Sequence, residues 1–144
     1  MSHTRNKPRD REAGFHRLAI DFDGVLMGAV RVRVFDPAKC LGEPVRGTRE
    51  ALAHLSTRYE LTIFSARATN AKGIDAIEAW LGKHDLRQFF KGGITAIKPN
   101  ALAYIDDRAR RFDGWGAILK EFGSDFFTEL NTKTIKHGQT KKTN

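Results

Sequence analysis

The run Leu18-Ala19-Ile20-Asp21-Phe22-Asp23-Gly24-Val25 sets the architecture of this chain. Three apolar residues in succession predict a short strand buried on both faces, and Gly24 supplies the turn that ends it. Strands of that kind sit inside parallel sheets. The pattern recurs downstream. Leu61-Thr62-Ile63-Phe64 predicts a second strand closing on Ser65, and Ile94-Thr95-Ala96-Ile97 a third before Lys98-Pro99. Ala101 to Ile105 predicts a fourth, running into Asp106-Asp107.

Helical patterns fill the intervals. Residues 48–58 predict a helix with Thr48 as N-cap and an apolar stripe of Ala51, Leu52 and Leu55. Thr69 or Asn70 caps a second helix, with Ile74, Ile77, Trp80 and Leu81 on one face and Gly82 at its end. Ala117 to Phe122 predicts a last helix before Gly123. Val30, Val32 and Val34 alternate with Arg31 and Arg33, which predicts a half-exposed hairpin arm, a short flap that Asp36-Pro37 closes. Strands alternating with helices predict an α/β fold, a doubly wound parallel sheet.

The chain of 144 residues suits one body, over residues 15–131, between polar ends at 1–14 and 132–144 that are expected to be flexible. Most of the net charge of +8 sits near the two ends, over residues 1–17 and 132–144. Arg5, Lys7, Arg9, Arg11 and Arg17 outweigh Asp10 and Glu12 at one terminus, and Lys133, Lys136, Lys141 and Lys142 stand without an acid at the other. Such ends suit a polyanion such as nucleic acid, while the body between them is close to neutral. A lone cysteine, Cys40, excludes an internal disulfide and fits the cytoplasm. No apolar run approaches the roughly 18 residues of a membrane span, and the N-terminal stretch lacks the apolar core of a secretory signal. The five histidines show no metal-ligand spacing, so no zinc site is expected.

Each predicted strand ends on a polar residue suited to phosphate or metal chemistry: Asp21 and Asp23, Ser65, Lys98, then Asp106 and Asp107. In a parallel sheet all of these lie along one edge, where such sheets bind ligands. Four carboxylates together repel one another, and a divalent cation relieves the conflict. Oxygen-only ligands favour magnesium over zinc.

Asp21-Phe22-Asp23-Gly24-Val25, Ser65, Lys98-Pro99 and Ile105-Asp106-Asp107, in that order, resemble the four motifs of the haloacid dehalogenase superfamily of phosphohydrolases. The likeness spans about residues 17–115. The run from Lys98 to Ala109, with Phe112 and Gly114-Trp115 behind it, looks like small phage and bacterial members and is similar to the phosphatase half of some phage polynucleotide kinases. The resemblance implies a Rossmann-like fold and a magnesium-dependent phosphatase working through an aspartyl-phosphate. It implies Asp21 as nucleophile and metal ligand, Asp23 as general acid/base with its carbonyl on the metal, and Ser65 and Lys98 as phosphate-binding residues. It implies Asp106 as a direct metal ligand, Asp107 as an outer or water-mediated one, and Arg67 as a substrate-binding arginine. The substrate expected is a phosphomonoester, with nucleotide or nucleic-acid phosphates suited to an open, cap-free site.

Each residue also has a plainer reading. Ser65 can simply cap the next helix, Lys98 can be a solvated loop lysine, and Asp106-Asp107 can be helix caps. Arg108, Arg110 and Arg111 can bind phosphates or pair with Asp113 on a solvated face. The functional alternative is a non-catalytic accessory protein that binds nucleic acid or phosphate on the same fold. A response-regulator receiver uses similar residue types, but in a different order along the chain.

Overall fold

The computed structural model describes residues 16–123, and the termini expected to be flexible, 1–14 and 132–144, lie outside the described residues. The chain divides into two compact units, Met1–Asp107 and Arg108–Asn144. The first holds the sheet. Its strands are β1 (Arg17–Ile20), β2 (Glu60–Phe64), β3 (Ile94–Thr95) and β4 (Ala103–Ile105). Its helices are α1 (Thr48–Leu55) and α2 (Ala71–Lys83), with short 3₁₀ turns at Ala66–Thr69 and Arg87–Phe89. The second unit contributes α3 (Trp115–Phe122). There Arg110 pairs with Glu121 at 2.7 Å, and the rings of Phe112 and Trp115 meet edge to face.

The sheet is wholly parallel, in the order β3-β2-β1-β4. An all-parallel four-stranded sheet with three described helices is an α/β fold compatible with the Rossmann type. The central strands are the apolar runs of the sequence. Leu18, Ala19 and Ile20 are buried, as are Leu61, Thr62 and Ile63. Phe22, Leu26, Met27, Leu52, Ile77, Trp80, Leu81, Leu86 and Phe90 complete the core. Trp80 meets Phe22 edge to face, ring centres 5.0 Å apart, as its place in the α2 stripe predicts.

The chain lays down β1, β2 and β3 in one direction, then crosses back to place β4 on the far side of β1. The order therefore reverses between β1 and β4. In open parallel sheets the crevice at the carboxyl ends of the two strands flanking such a reversal is where ligands bind. Ile20 pairs with both Ile63 and Ile105, so the residues that follow, Asp21 and Asp106, emerge side by side at that crevice.

Several boundaries shift from expectation. α1 starts from Gly47, whose φ of 86° turns the chain into the helix; Thr48 is buried and gives no side-chain cap. Asn70 caps α2, its Oδ1 accepting from the Lys72 amide at 2.8 Å. β3 stops at Thr95 because the Thr95 hydroxyl accepts from the Ile97 amide and turns the chain.

The predicted hairpin arm at 30–34 is not formed. The Gly28 amide donates to Glu43 and the Val45 amide to Leu26, which pins the base of an excursion whose residues 29–42 contain no strand. Carbonyls of this excursion are used elsewhere: those of Asp36, Pro37 and Lys39 all accept from Arg67. A cross-strand ladder would need such groups itself. The loop is also tied to the core, since Trp80 donates its indole N–H to the Gly42 carbonyl at 2.7 Å. A side chain at Gly42 would strike the Gly28 carbonyl.

Candidate active site

Asp21 stands where β1 leaves the sheet. Its amide still donates to the Ile105 carbonyl at 2.9 Å, one rung past the last paired residues, which fixes it beside the end of β4. Its Oδ1 accepts from the Phe22 amide at 2.7 Å. Phe22 then turns the chain, its carbonyl accepting from the amides of Leu26 and Met27. Gly24 lies inside this turn at φ 79°, a conformation that suits glycine. A Cβ at Gly24 would also collide with the Asp107 carboxylate. The glycine thus serves the turn and makes room for the acid arriving from β4.

Carboxylate oxygens of Asp21, Asp106 and Asp107 lie within 4.8 Å of one another. The Asp21 carboxyl is pushed up to about 6, chiefly by burial, with the negative charges of Asp106, Asp23 and Asp107 adding to it and the Phe22 amide opposing. These three carboxylates, drawn from two chain segments, are a set that could hold a metal ion. The structure therefore gathers three of the four expected carboxylates, Asp107 among them.

The fourth is engaged differently. Asp23 accepts two hydrogen bonds from Arg67, Nε to Oδ2 and Nη2 to Oδ1, both at 2.8 Å. The third guanidinium nitrogen, Nη1, donates to the carbonyls of Asp36, Pro37 and Lys39 at 3.0–3.1 Å. The guanidinium carbon lies 4.8 Å from the ring centre of Phe35 and 5.8 Å from that of Phe22. Arg67 is only 4% exposed. The expected substrate arginine is thus a buried fork that fixes the Asp23 carboxylate and the 36–39 segment together.

Ser65 is buried at the end of β2, its amide paired with the Thr95 carbonyl. Its Oγ accepts from the Arg67 amide at 3.2 Å, so it does cap the 3₁₀ turn. Accepting that bond leaves the hydroxyl proton as a separate donor. Gly73 lets α2 pack against this turn, since a Cβ there would strike the Arg67 carbonyl. Lys98 is exposed, with its ammonium 4.7 Å from the ring centre of Tyr104 on β4. Cys40 is half-buried, and burial raises its thiol above the ordinary range, which suits an inert side chain.

Residue types at strand ends pointed to Asp21, Asp23, Ser65, Lys98, Asp106 and Asp107 as candidates. They did not reveal that Asp23 would belong to Arg67, nor that Val30, Val32, Val34, Phe35 and Leu41 would line a pocket ending at those two residues. The alternation of valine and arginine over 30–34 was the available signal. In comparisons with protein-family models, curated proteins and solved structures, nothing matches this chain. Among the described residues no helix is long and apolar enough to cross a membrane.

Proposed function

We propose that the chain is a magnesium-dependent phosphomonoesterase of the haloacid dehalogenase type, doubly wound and without a cap domain. The observation that carries this reading is the grouping of the Asp21, Asp106 and Asp107 carboxylates at the point where the strand order reverses. The carboxylates of Asp21, Asp106 and Asp107, with the Asp23 carbonyl, would hold the cation. Its two positive charges would offset the repulsion that raises Asp21 and keep that carboxylate ionised at neutral pH.

Asp21 attacks phosphorus through a carboxylate oxygen, and the bond from phosphorus to the alcohol oxygen breaks. With one oxygen released from the Arg67 fork and protonated, the Asp23 carboxyl gives that proton to the departing oxygen. The resulting Asp23 carboxylate then takes a proton from water as that water attacks the aspartyl-phosphate. The bond to Asp21 breaks, inorganic phosphate leaves, and both aspartates return to their starting states. Ser65 and Lys98 would bind phosphate oxygens, which requires Lys98 to leave the Tyr104 ring. Arg67 acts one step back, fixing where the Asp23 carboxylate points.

The test is phosphate release from nucleotides and from 3′- and 5′-phosphorylated oligonucleotides, with magnesium and with chelator. Magnesium-dependent release is expected. Salt-sensitive oligonucleotide binding without any release would instead support the accessory-protein reading.

A further inference from the structure

The 29–42 loop offers an unusual surface beside Asp23. Met27 forms part of a pocket whose other apolar lining residues are Val30, Val32, Val34, Phe35 and Leu41. Asp23 and Arg67 line the same pocket, with Asp36 and Lys39. The loop residues are markedly open to solvent: Val30 is 44% exposed, Val32 51%, Val34 79%, Phe35 56% and Leu41 61%. The loop is nevertheless anchored, through Trp80 at Gly42 and through Arg67 at residues 36–39. An anchored loop that shows apolar side chains next to a candidate general acid has a geometry worth exploiting.

In the phosphatase reading, the oxygen that Asp23 protonates carries the leaving group. That group must therefore extend from Asp23, and this pocket adjoins Asp23. A polyol there would find polar partners only at the pocket's charged residues and would gain nothing from the four aliphatic side chains. A flat, largely apolar ring would cover them. The alternation supplies the second half of the argument. Arg31 and Arg33 are exposed between the valines, and Lys39 lies at the pocket, against Asp36 as the one acid between residues 29 and 42. A neutral aryl alcohol makes no use of those cations. A nucleotide chain does, since its bases cover apolar surface while its phosphodiesters meet arginine and lysine.

Resting on that phosphatase reading, we propose that the 29–42 loop is the leaving-group wall of the site and seats the base of a nucleoside. The base lies against Val30, Val32, Val34 and Leu41, with Phe35 backed onto the Arg67 guanidinium. Arg31 and Arg33 serve the adjoining phosphodiester where the substrate is an oligonucleotide end.

Two measurements on the full chain test this. In the first, adenosine, which carries no phosphate, is titrated into metal-free protein while the valine and leucine methyl resonances are followed, with glycerol as the control. Adenosine should shift Val30, Val32, Val34 and Leu41, and glycerol should not. In the second, kcat/KM with magnesium is compared for a nucleoside monophosphate, phenyl phosphate and glycerol phosphate. The nucleotide should lead glycerol phosphate by tenfold or more, and Val32→Ser with Val34→Ser should remove most of that lead; both side chains are exposed enough to be changed without unfolding the chain. The two failures read differently. No release from any ester, with adenosine still shifting the loop methyls, overturns the phosphatase reading. Release without discrimination, a lead for phenyl phosphate over the nucleotide, or adenosine shifts confined to other residues overturns the nucleobase site.

Discussion

Asp21 carries the electrostatic strain of the site. Its carboxyl is raised from 3.8 to about 6, so the folded chain holds its proton more tightly than the unfolded chain does. Folding stability from this group is therefore greatest below about pH 4 and is lost as pH rises through about 6. In chelator, thermal melts should show Asp21→Asn more stable than the parent at pH 7, by about 2–5 °C, with the gap closing towards pH 4. Magnesium should narrow the same gap at pH 7 by stabilising the parent. Arg67 poses the opposite case. Arg67→Ala strands the Asp23 carboxylate and three carbonyls, and should cost about 2–4 kcal/mol in denaturant unfolding. Arg67→Lys should not restore turnover, because an ammonium cannot make the two-pronged contact with Asp23 while also reaching the 36–39 carbonyls.

At the scale of elements, what could be read from sequence divides by range of interaction. β1 and β2 announce themselves as apolar runs because both faces are buried, and α2 by its stripe and its Asn70 cap. The strand ends gave the acids, since a parallel sheet delivers every carboxyl end to one edge. The 29–42 loop could not be read in the same way. Its backbone is organised by Arg67, which lies 28 to 31 residues away from the carbonyls it holds and 44 from Asp23. Local alternation suggested a hairpin, and a distant guanidinium took the carbonyls instead. Gly24 connects the two ends of the site in a comparable way. Gly24→Ala should cost about 2 kcal/mol through its positive φ and should displace Asp107 besides. Loss of magnesium-induced stabilisation in that variant, with the fold retained by circular dichroism, is the expected outcome.

For the whole molecule, the net charge of +8 belongs mostly to the two ends rather than to the residues that build the sheet and the site. KM for an oligonucleotide phosphate should therefore rise steeply with salt, while KM for a mononucleotide rises far less. Equal salt dependence for both would remove the charged ends from substrate capture. The central claim lies deeper, in the use of Asp21 as a nucleophile in an acidic crevice at the reversal of strand order. It is tested most directly by measuring phosphate release from a nucleotide by the parent chain and by Asp21→Asn, side by side in magnesium. The account predicts magnesium-dependent release by the parent and a loss of about 10³-fold or more in the variant. Release by Asp21→Asn at the parent rate would contradict it.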